Sequence, residues 1–165
     1  MAVVVAGLVA LAVAVAGCGG GSSSTSSSAY GASPSTASAP ASGHGRASVK
    51  LASTNLGKVL VDAQGRTLYL FEADKGPMSA CDGACASAWP PLTTTGHPTG
   101  GPGLTASKLG TTKRSDGATE VTYNGHPLYT YAGDSAPGQT NGQGLDDYGA
   151  EWYVLSAGGG KIDNG

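Results

Sequence analysis

The thiols of Cys81 and Cys85 are the side chains in this 165-residue sequence with the most direct chemistry. They lie in Met78-Ser79-Ala80-Cys81-Asp82-Gly83-Ala84-Cys85, followed by Trp89-Pro90-Pro91-Leu92. As thiolates, with Met78 or His97 as a further ligand, they could hold a soft metal such as copper, or cycle between dithiol and disulfide. The spacing is C-x-x-x-C, not the C-x-x-C of common redox motifs. There is no second Cys pair for a zinc site and no C-x-x-C-H for haem. In an exported chain two neighbouring thiols default to a disulfide. So short a loop restrains the unfolded chain by roughly 2 kcal/mol on the loop-entropy model. The expected use of a Cys81–Cys85 bridge is therefore to fix a turn ahead of Trp89, with a metal or redox site as the alternative.

Carboxylates are the second chemical resource. Asp74 and Asp134 follow aromatic strands, where a carboxylate ordinarily accepts hydrogen bonds from the backbone N–H groups of the next turn. A metal or catalytic role is the competing reading. Asp134, Asp146, Asp147 and Glu151 could bind calcium if they converge, but their spacing matches no EF-hand loop. His126 follows a hairpin turn and is expected in solvent. No Ser/His/Asp or Cys/His constellation, phosphate loop or pair of carboxylates at a known spacing is present. No catalytic residue and no cofactor is therefore assigned.

Composition narrows the partners. Net charge is -2 and charged residues make up 12% of the chain, too few for the basic patch of a nucleic-acid binder. The same balance argues against electrostatic docking on an acidic membrane surface. Residues 2–16 form an apolar run that is short for a membrane span but suits a secretory signal. It ends in Val15-Ala16-Gly17-Cys18, which resembles the lipobox of bacterial lipoproteins. There the signal, here residues 1–17, is removed and the Cys18 sulfur is diacylated, anchoring the chain in the lipid bilayer. No Lys or Arg precedes the run, a departure from the usual leader, and soluble export after ordinary cleavage is the alternative. Residues 18–47, mostly Gly, Ser, Ala, Thr and Pro after the cysteine, read as a disordered tether. Residues 157–165 read as a flexible tail.

The elements between them form a repeat. Gly65-Arg66-Thr67-Leu68-Tyr69-Leu70-Phe71-Glu72-Ala73-Asp74 returns as Gly125-His126-Pro127-Leu128-Tyr129-Thr130-Tyr131-Ala132-Gly133-Asp134. The copies extend over 48–95 and 106–156, and Trp89/Leu92 matches Trp152/Leu155. In the first copy Val49–Thr54, Lys58–Asp62 and Thr67–Phe71 read as strands joined by tight turns. In the second, Thr119–Tyr123, Leu128–Tyr131 and Glu151–Leu155 do, with Asn124-Gly125 as a type I′ hairpin turn. Alternation places Tyr69 and Phe71 on one face and Leu68 and Leu70 on the other. Tyr69, Phe71, Tyr129 and Tyr131 are expected in the core, with Trp89 and Trp152, rather than as a stacking platform for a sugar. Two prolines restrict Trp89–Leu92 to an edge. The expected fold is all-β: two pseudo-symmetric meanders packed as one compact domain, sandwich-like or barrel-like, since neither alone could bury a sufficient core.

Two copies of Y-x-[FWY]-x-x-D, the C-x-x-x-C-A-x-x-W-P-P segment and the lipobox resemble the bacterial predicted lipoproteins named for that motif. These are also known as a secreted repeat of unknown function. Tyr69, Phe71, Asp74, Cys81, Cys85, Trp89, Pro90 and Pro91 match in the first copy, and Tyr129, Tyr131, Asp134 and Trp152 in the second. The resemblance implies secretion and attachment to the envelope, and brings no reaction with it. The expectation is a lipid-anchored, non-enzymatic module on the outer face of the cytoplasmic membrane, with wall glycan or another envelope protein as partner. A redox or copper-handling lipoprotein using Cys81 and Cys85 is the alternative.

Overall fold

Tight turns set the frame of the computed structural model, which describes residues 45–163. The signal segment, Cys18, the tether up to residue 44 and residues 164–165 lie outside the described residues. Strand β1 (Ser48–Thr54) runs antiparallel to β2 (Gly57–Val61), closing on the pair Thr54 and Gly57. After a second turn comes β3 (Tyr69–Phe71), then a short helix α1 (Ala84–Ala88) and β4 (Thr99–Gly100), which lies parallel to β1. The second copy supplies β5 (Leu109–Lys113), β6 (Thr119–Tyr123), β7 (His126–Pro127), β8 (Leu145–Asp147) and β9 (Ala150–Val154). Asn124 and Gly125 between β6 and β7 have φ of 53° and 82°, the two positive angles a type I′ turn requires. The result is all-β and sandwich-like, with three small open sheets in the orders β2-β1-β4, β3-β9-β8 and β5-β6-β7.

The copies are not two separate meanders. Strand β3 of the first copy pairs with β9 of the second, matching Tyr69 with Val154, Leu70 with Tyr153 and Phe71 with Trp152. The exchange is reciprocal. Leu155 N–H donates to the Leu68 carbonyl at 3.3 Å, and Leu92 N–H donates to the Leu128 carbonyl at 2.8 Å. The Leu155 carbonyl accepts from Leu60 N–H at 3.0 Å, and the Leu92 carbonyl from Val121 N–H at 2.8 Å. Each copy thus completes its sheet with the tryptophan segment of the other. Tyr69 and Tyr129 face each other at the crossing and exchange backbone bonds of 2.8 and 3.1 Å, which marks a pseudo-two-fold axis.

The expected strand Leu128–Tyr131 is reduced to bridges from Tyr129 to Tyr69 and to Pro91. Its neighbour is the proline segment, which has carbonyls to offer but lacks the donors of a full ladder. Pro90 contributes by accepting from Thr130 N–H at 2.9 Å.

Strand alternation separates two buried layers. Val59, Val61, Tyr69, Phe71, Trp89, Tyr129, Trp152 and Val154 form one with the two cysteines. Leu60, Leu68, Leu70, Val121, Tyr123, Leu128, Tyr153 and Leu155 form the other with Val49. Through the first layer runs a stack of rings in the order Phe71, Trp152, Trp89, Tyr131, with centroid spacings of 4.1, 4.0 and 4.2 Å. That order also obeys the pseudo-two-fold, since Phe71 corresponds to Tyr131 and Trp152 to Trp89.

The C-terminal segment is not a free tail over 157–163. It turns back on β9, with Ile162 N–H donating to the Val154 carbonyl and Ser156 N–H to the Gly160 carbonyl, each at 2.9 Å. Its glycines form the turn, and Lys161 beyond them pairs with Glu72 at 2.7 Å.

Candidate functional site

The repeated motif builds two crossed polar pairs. Tyr69 donates its hydroxyl to Asp134 Oδ2 at 2.6 Å, and Tyr129 donates to Asp74 Oδ2 at 3.0 Å. The other oxygen of each carboxylate holds the loop that follows it: Ala80 N–H donates to Asp74 Oδ1 at 2.7 Å, and Asn141 N–H to Asp134 Oδ1 at 2.9 Å. Sequence reasoning found the loop contact but not the crossed one, because spacing within one copy carries no information about the other. The second loop closes tightly over the stack. Gly142 N–H lies 3.3 Å from the Tyr69 hydroxyl, and a Cβ at Gly142 would stand 2.6 Å from the Trp89 ring.

Burial first, then the adjacent carboxylates, push both tyrosine hydroxyls well above their ordinary value, so both stay protonated donors. Burial lifts the Asp74 carboxyl to about 6, against the pull of Ala80 N–H and Tyr129. Burial likewise raises Asp134. Each carboxylate spends both oxygens on the fold, so the arrangement pins the loops that follow the two strands.

Cys81 and Cys85 are joined in a disulfide, with Cα atoms 5.2 Å apart and both residues buried. With both sulfurs in one bond, neither is a thiolate ligand in this state, and the bridge is the structural disulfide expected ahead of Trp89. Met78, 68% exposed, and His97, also exposed, lie on the surface. Among the described residues no group of three or more His, Cys, Asp or Glu side chains is placed to hold a metal ion. Asp134, Asp146, Asp147 and Glu151 thus form no calcium site.

Beside the disulfide sits a buried cation that sequence reasoning missed. Arg114 donates to the Cys81 carbonyl at 2.6 Å, to Ser79 Oγ at 2.7 Å and to Glu120 Oε2 at 2.9 Å. Asp82 and Asp116 complete its shell at 3.1 and 3.3 Å. Glu120 is fully buried, which pushes its carboxyl up to about 8 against the pull of Arg114. Ser79 also bonds the Tyr129 hydroxyl at 2.7 Å, so the cage of Arg114 and the first-copy lock form one network. The only signal in the sequence was the alternation that turns Glu120 inward on β6.

Next to the crossing lies a concavity of about 430 Å³ lined by Leu70, Phe71, Glu72, Asp74, His126 and Lys161. It draws on the strand exit of the first copy, the hairpin of the second and the C-terminal segment. Lys161 Nζ bonds Glu72 Oε1 at 2.7 Å and lies 4.2 Å from the centroid of the Tyr153 ring. His126 is half-buried, which lowers its pKa and keeps the imidazole neutral at pH 7. The position of His126 is held by Arg66 in the first copy. There the guanidinium is bound to buried Asp62, with Nε and one terminal nitrogen each 2.7 Å from Oδ2.

The model of a family described as a secreted repeat of unknown function, Lipoprotein_15, matches residues 50–93 and 110–156. The chain belongs to the Lipoprotein_15 family. Its two matches coincide with the two interlocked copies. Secretion is an oxidising setting in which the Cys81–Cys85 bridge persists. No curated protein and no solved structure matches this Lipoprotein_15 chain.

Proposed function

We propose that the chain is a lipid-anchored, non-enzymatic binding module of the bacterial envelope, held at the outer face of the cytoplasmic membrane through Cys18. The observation that carries this reading is the crossed Tyr–Asp pairing: the most distinctive polar groups of the motif are consumed inside the fold. The concavity beside them remains open to a ligand. Secretion of the family, the lipobox at Val15–Cys18 and the Gly/Ser-rich tether support placement within reach of the wall. The two acyl chains of a diacylated Cys18, at about 0.8 kcal/mol per buried methylene, would give the anchor. Wall glycan is the proposed partner.

Two measurements test the reading. Labelled palmitate should enter the wild-type chain and not Cys18→Ser, which should shift from the membrane to the soluble fraction. The full chain in detergent should be retained on purified wall sacculi. Absence of label would remove the anchor, and passage through the sacculi unretarded would remove the wall as partner.

A further inference from the structure

We infer that the concavity between β3, β7 and the C-terminal segment is a subsite for a neutral, hydroxylated sugar unit, read by Glu72, His126 and Lys161. This rests on the wall-binding reading above and names the side chains that would carry it.

The first support is an asymmetry between the copies. At the position after the repeated glycine, Arg66 is spent on Asp62. Its counterpart His126 has no partner for its imidazole among the described residues, and it faces the concavity. Position 72 is glutamate, whereas its counterpart is Ala132, and Lys161 comes from a segment with no equivalent in the first copy. The concavity is therefore peculiar to one side of a pseudo-symmetric molecule.

The second support is the chemistry of the lining. Glu72 and Asp74 oppose a phosphate or another polyanion. The Lys161 ammonium, bonded to Glu72, opposes a metal ion, and no set of three metal-ligating side chains converges there. A neutral ligand remains, one able to donate to carboxylates and accept from an ammonium. An imidazole with one donor and one acceptor nitrogen serves either need. Sugar hydroxyls both donate and accept, which suits the mixed polar lining of Glu72, His126 and Lys161. The volume is that of a small-ligand site, within the range of about 300–1,000 Å³.

The test is isothermal titration of the full chain in detergent with chitotetraose, a neutral N-acetylglucosamine oligomer, beside sacculus retention of the same proteins. Wild type should bind. His126→Ala and Glu72→Gln should each weaken binding at least about tenfold, equivalent to about 1.4 kcal/mol. His126→Gln, which keeps a neutral donor and acceptor, should lose less, and Arg46→Ala, in a second groove lined by Arg46, Gln64, Pro90 and Leu92, should bind as wild type. Near-ultraviolet circular dichroism confirms that each variant is folded. Equal binding by wild type and both His126→Ala and Glu72→Gln would overturn the subsite. Retention of wild type on sacculi with no response to chitotetraose would overturn the subsite alone, and loss of retention as well would overturn the wall-binding reading with it.

Discussion

The hydroxyl of Tyr69 lies 2.6 Å from Oδ2 of Asp134, a residue of the other copy, and both side chains are buried. The mirror pair, Tyr129 and Asp74, repeats the bond at 3.0 Å. Removing one partner costs the other a buried, charge-assisted hydrogen bond, about 1–3 kcal/mol. Tyr69→Phe and Asp134→Asn should each destabilise the domain by that order. The double variant should fall short of their sum by about 0.5–3 kcal/mol, as for groups in direct contact. Urea unfolding of the four proteins measures the coupling, and strict additivity would show that the bond carries no energy.

Acid should strengthen the domain across the near-neutral range. Burial raises Asp74 from its ordinary 3.8 to about 6 and Glu120 from 4.5 to about 8, and it raises Asp134 as well. A carboxyl with a raised pKa in the folded state binds its proton more tightly there than in the unfolded chain. Its contribution is complete below the unfolded pKa and is lost as pH rises through the folded one. Asp116, lowered chiefly by Ala118 N–H, and His126, lowered by burial, act the opposite way, but Asp116 is exposed and His126 is one half-buried group against three carboxyls. Tm should therefore climb as pH falls from about 8.5 to about 5. In Asp74→Asn the part of that rise around pH 6 should be missing. A thermal scan series across pH reads both, and a Tm that falls monotonically with acidification would contradict the assignment.

Much of the frame was legible because local rules decide it. The Asn124-Gly125 pair dictates its own turn, and alternation along β3 divides Tyr69 and Phe71 from Leu68 and Leu70 without reference to anything distant. The pairing of β3 with β9 was not legible. Periodicity states which face of a strand is apolar, not which strand lies beside it. The same blindness hid the crossed hydrogen bonds and Arg114, whose partners Ser79, Cys81 and Asp82 lie in the other copy. The glycines near the C-terminus read locally as a flexible tail, and in the fold they supply a turn that brings Lys161 to Glu72.

The disulfide should matter chiefly to Trp89. Helix α1 has five residues, no side-chain cap and no charged residue in its first or last turn, so it cannot be stable alone. Trp89 N–H donates to the Cys85 carbonyl at 2.7 Å, and the ring lies 4.0 Å from Trp152. A Cys81→Ser, Cys85→Ser variant should lose about 2 kcal/mol on the loop-entropy model. Its near-ultraviolet circular dichroism from the stacked indoles should weaken while far-ultraviolet strand signal is kept. An unchanged indole signal would show that packing alone positions Trp89.

Interlocking is tested most directly by cutting the chain between the copies. Residues 45–104 and 105–163, produced separately, each lack the tryptophan segment that completes their sheet, since β3 needs β9 and Leu128 needs Leu92. Near-ultraviolet circular dichroism of each fragment should be flat, and mixing them in equal amounts, with Cys81–Cys85 oxidised, should restore the indole signal of the intact chain. A native-like spectrum from either fragment alone would contradict the crossed fold and make each copy an independent module.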